Sequence, residues 1–361
     1  MRRSVAAGLP DFPWDTLEPA KARAGRHPDG LVDLSIGTPV DPVAPVVQQA
    51  LAAAANSPGY PQTIGTPALR SAMAAYIRAV CGVADGFGVA PSIGSKELVA
   101  WLPTLLGLGP SDTVVIPSVC YPTYEVGARL TGAQVVRSDT PIAGSAALVW
   151  LNSPGNPHGR VLGAEALREW VDWARSSGAI IASDECYLSL PWEETPVSVL
   201  HPSVSGGSVD GLLALHSLSK RSNLAGYRAG LVAGDPALVD ELVSVRKHAG
   251  MMVPAPVQAA MVAALADSSH VESQRAVYAA RRVLLREAVE KAGFAVEHST
   301  AGLYLWITRD EPCPATVDWF ADHGILVAPG SFYGPDGELF VRMALTATDE
   351  RVAAAVARLT P

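Results

Sequence analysis

The sequence has little of what marks several common classes of protein. Its four cysteines, at positions 81, 120, 186 and 313, form no CxxC pair, so neither a zinc site nor a disulfide framework is indicated. No apolar run is long enough to span a membrane. Near the N-terminus, Pro10 and Pro13 arrive before a signal-peptide core could form. We therefore expect a cytoplasmic protein with reduced thiols and no metal site.

Basic runs and nucleotide-binding motifs are also missing. Lys and Arg number 27 against 35 Asp and Glu, which gives a net charge of -8 with no basic cluster. Such a chain is not expected to bind nucleic acid or an anionic membrane. Neither GxGxxG nor GxxxxGK[ST] occurs, which argues against a nucleotide-binding dehydrogenase. What remains is a globular chain of 361 residues, 49% hydrophobic, with ample core.

Short apolar runs alternate with helical segments along most of the chain. Strands are predicted at 113–116, 146–151, 179–183, 212–215 and 229–233, with helices between them. This alternation predicts an α/β fold with a mainly parallel sheet covered by helices. Later strands at 303–307, 325–328 and 340–345 predict a smaller second sheet. We assign residues 41–260 to a large domain, and 1–40 with 261–361 to a discontinuous small domain.

The longest predicted helix follows residue 268. Ser269 and Glu272 have the spacing of a capping box, which predicts the start of this helix. Val277, Leu284 and Ala288 share a helical face with Ala280, so this face is predicted to be buried.

Polar residues follow the ends of five predicted strands. Because parallel strands end at one edge of a sheet, these residues should meet there and form a pocket. They are Gly94 with Ser95, Tyr121, Asn156, Asp184 with Tyr187, and Ser217 with Lys220.

This set of side chains suits pyridoxal phosphate (PLP). A lysine such as Lys220 can bind the cofactor aldehyde covalently, and Asp184 can keep the ring nitrogen protonated. Asn156 and Tyr187 can hydrogen-bond the ring hydroxyl, and Tyr121 can cover the ring face, although Tyr121 could instead belong to the core. The groups suited to the phosphate are Gly94, Ser95, Ser217, Ser219 and Arg228.

Five motifs carry a resemblance to a known family. They are Asn156-Pro157-His158-Gly159, Asp184-Glu185-Cys186-Tyr187, Ser217-Leu218-Ser219-Lys220, Asn223-Leu224-Ala225-Gly226-Tyr227-Arg228 and Phe340-Val341-Arg342. In this order they resemble the class I/II aminotransferases, which are fold-type I PLP enzymes. The resemblance covers essentially the whole chain. It implies a large domain with a mainly parallel seven-stranded sheet, helices on both faces, and a smaller α+β domain built from both termini.

The resemblance also implies a role for each motif residue. Lys220 would bind the cofactor covalently, Asp184 would contact its ring nitrogen, and Asn156 and Tyr187 its ring oxygen. Tyr121 would stack on the ring, and Arg342, assisted by Gly37 and Asn156, would bind the substrate carboxylate. The implied phosphate ligands are Ser95, Lys96 through its backbone, Ser217 and Arg228. Tyr60 would reach the phosphate of a neighbouring subunit, so a homodimer is implied.

A narrower resemblance concerns the substrate. Segments 9–15, 35–42, 59–66 and 301–306 are similar to the N-succinyldiaminopimelate aminotransferases of actinobacteria. This implies ping-pong transamination in lysine and diaminopimelate biosynthesis, with glutamate and 2-oxoglutarate as the second pair of amino acid and oxo acid. His158 departs from that pattern, which often has Thr there. A substrate with several carboxylates needs further cations, for which we consider Lys21, Arg23 and Lys247 with its neighbour at 248.

Other functions remain open at this stage. The same cofactor and fold would serve another amino-acid aminotransferase, a β-lyase or a decarboxylase. An effector-binding domain of a transcription regulator is disfavoured because residues 1–30 are too short and too weakly basic for a DNA-binding domain.

Overall fold

The structure, a computed structural model, describes residues 4–360. Its helices are α1 (Glu18–Ala24), α2 (Pro45–Ala53), α3 (Pro67–Cys81), α4 (Ser95–Leu105), α5 (Thr123–Thr131), α6 (Ala164–Ser177), α7 (Pro202–Ser205), α8 (Leu218–Arg221), α9 (Pro236–His248), α10 (Ala255–Ala266), α11 (Ser269–Lys291), α12 (Cys313–Asp322) and α13 (Asp349–Leu359). Its strands are β1 (Val32–Asp33), β2 (Gly88–Ile93), β3 (Thr113–Ile116), β4 (Gln134–Arg137), β5 (Leu148–Asn152), β6 (Ile180–Asp184), β7 (Leu212–Ser217), β8 (Ala229–Gly234), β9 (Ala295–Glu297), β10 (Tyr304–Thr308), β11 (Ile325–Leu326), β12 (Ala328–Pro329) and β13 (Phe340–Ala344).

Seven strands form the large sheet, in the order β2-β8-β7-β6-β5-β3-β4. Strand β8 is antiparallel to both of its neighbours, β2 and β7, and the remaining pairs are parallel. The central strands β5, β7 and β8 are buried along their whole length, as expected for a sheet covered on both faces. The predicted mainly parallel seven-stranded sheet is therefore confirmed.

The side chains of the large sheet alternate between two hydrophobic cores. Leu151, Ile181 and Ala214 face a core built with α2, α3, α6 and α10. Trp150, Ala182 and Leu215 face the opposite core, built with α4, α5 and α9. This period-two alternation leaves the strand ends as the place where polar side chains can gather.

The helices begin and end where their sequences indicate. At α3, the Thr66 hydroxyl accepts a hydrogen bond from the Leu69 N–H at 3.2 Å, and Pro67 occupies the first turn. Gly82 ends the helix in the left-handed conformation at φ 65°. No helix in the described part of the chain is long and apolar enough to cross a membrane.

A third core joins residues from both ends of the chain. It packs Leu17 and Val32 with Tyr278, Leu305 and Val352 around the antiparallel sheet β12-β13-β10-β9 and the parallel pair β1-β11. This core supports the predicted small domain. Its boundaries remain a proposal, since Tyr187 and Leu190 from the middle of the chain belong to the same core.

Two predictions about α11 are wrong. Ser269 and Glu272 do not form a capping box: Asp267 accepts the hydrogen bond from the Ser269 N–H at 2.9 Å, and Glu272 pairs with Arg275. Leu284 on the predicted buried face is 47% exposed. The buried face instead contains the following residues, two of them arginines: Val271, Gln274, Tyr278, Arg281, Arg282, Leu285, Ala288 and Val289.

Long-range ion pairs explain the buried arginines of α11. Arg281 pairs with Asp41 at 2.6 Å and with Asp349 at 2.7 Å, and Arg282 pairs with Glu193 at 2.6 Å. Because these carboxylates compensate the buried charges, α11 can bury a face that contains two arginines. Hydrophobic periodicity alone does not predict this face.

Candidate active site

A cavity of about 350 Å³ lies at the edge of the large sheet where the parallel strands end. Every predicted site residue except Gly94 and Tyr60 lines it: Gly37, Ser95, Lys96, Tyr121, Asn156, Asp184, Tyr187, Ser217, Ser219, Lys220, Arg228 and Arg342. The cavity is thus where the strand-end rule predicted a pocket. Tyr60 lies outside it, and its side chain is 97% exposed.

The reversed direction of β8 completes this edge. Strands β2, β6 and β7 end there, but β8 begins there because it runs antiparallel to its neighbours. Arg228 comes directly before β8, in the left-handed conformation at φ 56° and ψ 52°. The connection from β7 to β8 therefore brings both Lys220 and Arg228 to the same cavity.

Positive charge dominates the cavity wall. Its lining includes the cations Lys96, Lys220, Arg228 and Arg342 against one carboxylate, Asp184. Burial and the neighbouring Arg228 both lower the pKa of Lys96. This balance favours a ligand with several negative charges, such as a phosphate together with a carboxylate.

Lys220 is positioned by the short helix α8. The Ser217 hydroxyl accepts a hydrogen bond from the Ser219 N–H at 3.1 Å and so caps the start of this helix. The ammonium group of Lys220 donates to the carbonyl oxygen of Gly37. Burial lowers the pKa of Lys220, which raises the fraction of neutral, nucleophilic amine near neutral pH.

Asp184 is a buried carboxylate at the end of β6. One of its oxygens accepts from the Tyr124 hydroxyl at 2.9 Å and the other from the Cys186 N–H at 3.1 Å. Burial raises the pKa of Asp184, and within residues 4–360 it has no ion-pair partner. A protonated ring nitrogen of a bound cofactor would supply that missing cation.

The start of α4 and Arg228 form a cradle for an anion. Gly94 precedes α4 at φ 72°, and a Cβ atom at this position would collide with the Arg228 guanidinium. The free N–H groups at the start of α4 and the hydroxyls of Ser217 and Ser219 border the same space. Such a cradle fits a phosphate group.

Arg342, on β13, is a buried cation on the opposite wall. It is only 2% exposed, and it donates to the Asn156 side-chain oxygen at 2.8 Å and to the Ser35 carbonyl at 2.6 Å. Its Nε has no hydrogen-bond partner, and none of the described residues offers it a carboxylate. A buried guanidinium with spare donors and no counterion is suited to bind a carboxylate.

Two aromatic rings hold this guanidinium. It lies 4.0 Å from the ring centroid of Tyr304 and 5.0 Å from that of Tyr333. Cation–π contacts of this kind orient an arginine whose polar contacts are neutral.

Three further predicted residues also face the cavity. The Tyr187 hydroxyl is 3.1 Å from that of Tyr304, and the Asn156 N–H donates to the Asn152 side chain at 2.8 Å. Burial raises the pKa of Tyr121 to about 12, and its ring packs edge-on against Tyr124. Tyr121 therefore both packs on the core and faces the cavity.

Sequence reasoning missed part of the lining. The sequence predicts Tyr304 only as a strand residue, and Phe12 and Trp14 only as part of segment 9–15, but all three line the cavity with Cys186. The alternation of Tyr304 and Trp306 with Arg342 opposite on β13 was the available signal, and it could be used only once the pairing was known.

The cations considered for a distal carboxylate are placed elsewhere. Lys21 pairs with Glu18 at 3.4 Å, and Arg23 pairs with Asp322 at 2.5 Å. Lys247 and His248 are exposed on α9, and none of these four residues lines the cavity. That hypothesis is therefore not supported within one chain.

A second cavity of about 240 Å³ is lined in part by Asn152 and Arg160, which flank Asn156 in the chain. It is lined by His158, Trp150 and Trp306 among others, and of the predicted catalytic or binding residues it contains none. His216, on β7, is buried outside the first cavity and forms a hydrogen bond with Tyr76 at 3.2 Å. The chemistry is thus concentrated in the first cavity.

Comparisons with known proteins agree with the cofactor and family expected from the sequence. The sequence profile of "Aminotransferase class I and II" matches residues 29–359. A probable aminotransferase of Mycobacterium tuberculosis is 62% identical over 99% of this chain and 87% of its own length. The 4-dedimethylamino-4-oxo-anhydrotetracycline transaminase OxyQ of Streptomyces rimosus is 61% identical over 98% of this chain and 99% of its own.

More distant relatives and solved structures agree. An LL-diaminopimelate aminotransferase of Dehalococcoides mccartyi is 30% identical over 97% of this chain and 96% of its own. The structure of a probable N-succinyldiaminopimelate aminotransferase of Thermus thermophilus superposes with a TM-score of 0.84 at 28% identity, covering 96% of this chain and 99% of that one. With a family profile matched over nearly its whole length and relatives above 60% identity, the chain belongs to the PLP-dependent class I and II aminotransferases.

Proposed function

We propose that the protein transfers the amino group of N-succinyl-LL-2,6-diaminopimelate to 2-oxoglutarate in a ping-pong reaction. Arg342 carries this proposal, because a buried guanidinium with spare donors suits the α-carboxylate that donor and acceptor share. The relatives that act on diaminopimelate compounds by their names support the choice of substrate.

Each side chain would have one task. Bound PLP supplies an electron sink for the charge that develops at the substrate α-carbon. Lys220 would hold the cofactor, and its freed amine would then move the α-proton of the substrate to the C4′ carbon of the cofactor. Asp184 would keep the ring nitrogen protonated, and Asn156 and Tyr187 would contact the ring oxygen.

The remaining predicted residues would fix the cofactor and substrate. The cradle of Ser95, Ser217, Ser219 and Arg228, with the backbone of Lys96, would bind the phosphate. Tyr121 would cover the ring, and Gly37 would border the substrate carboxylate at Arg342. At Gly37 a side chain would collide with Tyr304, which supports the need for glycine there.

The protein would act as a homodimer. Tyr60 is 97% exposed in the isolated chain, so its side chain is free to contact a second copy. Its hydroxyl would reach the phosphate cradle of the second copy. Analytical ultracentrifugation of the holoenzyme tests this, and a monomer at micromolar concentration would reject it.

A second candidate is amination of an oxo group on a fused-ring compound, as the name of OxyQ describes. It is favoured by 61% identity over nearly the full length of both chains. The aromatic mouth of the cavity, where Phe12 and Trp14 lie 5.5 Å apart, would also suit a flat ring. In that case Arg342 would serve the amino donor alone.

One pair of half-reactions separates the two candidates. The holoenzyme is converted with glutamate to its amino form, followed by the absorbance of the bound cofactor. Recovery is then measured with N-succinyl-2-amino-6-oxopimelate and with 4-dedimethylamino-4-oxo-anhydrotetracycline. We expect the first acceptor to restore the spectrum at least about a hundredfold faster, and the reverse order would establish the second candidate.

A β-lyase or decarboxylase would use the same cofactor. Release of pyruvate and ammonia from cystathionine measures the lyase reaction, and carbon dioxide release measures decarboxylation. We expect neither to approach the transamination rate.

A further inference from the structure

Tyr304 sits at the centre of the active site but has no role in the reaction described above. It extends from β10, and its hydroxyl lies 3.1 Å from that of Tyr187. The Arg342 guanidinium covers its ring at 4.0 Å from the centroid. Tyr304 thus contacts both the residue assigned to the substrate carboxylate and one assigned to the cofactor oxygen.

The charges around Tyr304 make it the more acidic of the two phenols. Burial by itself raises the pKa of Tyr304, but Arg342, Lys220 and the hydrogen bond with Tyr187 outweigh it, and the pKa is lowered. Burial and Tyr304 raise the pKa of Tyr187. Tyr304 is therefore the more acidic of the two phenols. Either hydroxyl can donate across their 3.1 Å contact, but Tyr187 has one hydroxyl proton, and the role assigned to it uses that proton on the cofactor oxygen. In the holoenzyme Tyr304 is then the donor to Tyr187.

The other titratable groups near Tyr304 do not reverse this order. They are the phenols of Tyr121, Tyr278 and Tyr333 and the thiol of Cys186, each of which is buried or partly buried. Burial raises the pKa of each of them, so they stay neutral near neutral pH. The charges that act on Tyr304 in that range are those of Arg342 and Lys220.

We propose that Tyr304 is a positioning residue that relays carboxylate binding at Arg342 to Tyr187, and through it to the cofactor oxygen. The proposal rests on the roles assigned to Arg342 and Tyr187 above. When a bound carboxylate compensates the positive charge of Arg342, the Tyr304 hydroxyl becomes a weaker hydrogen-bond donor. The hydrogen bond from Tyr187 to the cofactor then weakens, and the cofactor becomes easier to protonate at the start of catalysis.

Tyr333 provides a matched control. Its ring faces the same guanidinium at 5.0 Å, and its hydroxyl is buried without a hydrogen-bond partner among residues 4–360. Tyr333→Phe and Tyr304→Phe each remove one hydroxyl from a ring that contacts Arg342. Only Tyr304→Phe breaks the contact with Tyr187.

The test uses succinate, which has carboxylates but no amino or oxo group to react. The absorbance of the bound cofactor is titrated against pH with and without saturating succinate, in the wild type and both variants. A bound carboxylate favours protonation directly, through the Arg342–Asn156 hydrogen bond, and through the relay. The midpoint should therefore rise by about one unit in wild type and in Tyr333→Phe. In Tyr304→Phe only the relay is lost, and the rise should be about half as large.

The outcomes separate the relay from the roles it depends on. A full rise in Tyr304→Phe, or an equal loss in Tyr333→Phe, would overturn the relay. No rise in wild type would reject the carboxylate role of Arg342. If Tyr304→Phe does not retain the cofactor, Tyr187→Phe breaks the same hydrogen bond from its other end, and a full rise there would equally overturn the relay.

Discussion

Replacement of Arg342 by lysine tests the site most directly. One N–H of each terminal nitrogen of the guanidinium is used for Asn156 and Ser35, and the second N–H of each is left for a carboxylate. A lysine has fewer donors and would spend most of them on those two acceptors. At least one charged hydrogen bond to the substrate is therefore lost, worth about 1.5–3 kcal/mol.

This loss predicts the size of the kinetic effect. Since about 1.4 kcal/mol corresponds to tenfold, kcat/KM for glutamate should fall by roughly 10- to 100-fold in Arg342→Lys. The rate with an alkylamine that has no carboxylate should change little. The assay is the half-reaction of the holoenzyme, with each substrate at several concentrations.

A control variant tests whether replacing another buried arginine has the same effect. Arg246 is also 2% exposed, but it pairs with Glu97 at 2.9 Å outside the cavity. In Arg246→Lys the ratio of the rates with glutamate and with the alkylamine should stay within about threefold of the wild-type ratio. If Arg342→Lys lowers both rates equally, or lowers neither, the carboxylate role is refuted.

Three further predictions concern single residues. Asp184→Asn keeps an acceptor for Tyr124 but removes a buried charge, so the half-reaction with glutamate should slow about a hundredfold; a rate near wild type would exclude the ring-nitrogen role. Burial lowers the pKa of His158 from 6.5 to about 4. Its contribution to the free energy of unfolding should therefore be fully present above pH 6.5 and be lost as the pH falls towards 4. His158→Gln should reduce the dependence of Tm on pH between pH 4 and 6.5, and an unchanged slope would show that His158 is not the group responsible. Tyr60→Phe should weaken cofactor binding about tenfold without changing the sedimentation of the dimer, and unchanged cofactor affinity would argue against contact with the partner.

Local sequence was sufficient for the site residues that follow parallel strands. Asn156, Asp184 and Lys220 each come just after a continuous apolar run, and parallel pairing brings such ends together whatever the details of packing. The family motifs then added Arg342, whose strand lies in the smaller sheet. These residues line one cavity because their placement depends on chain direction more than on side-chain fit.

Features that depend on distant partners could not be predicted in this way. The buried face of α11 is set by Asp41, Glu193 and Asp349, which are far from the helix in sequence. Tyr304 faces the cavity because β10 pairs with β13 in a register that places Trp306 opposite Arg342. Hydrophobic periodicity identifies a strand but not which of its faces meets a site.

The two anchors expected for a substrate belong to different hydrophobic cores. Arg342 is held by the small antiparallel sheet, and Lys220 follows a strand of the large sheet. An amino acid bound to both would tether one core to the other. In a calorimetric scan, the ligand-free protein should lose the smaller sheet at a lower temperature, and a bound amino acid should merge the two steps into a single cooperative transition.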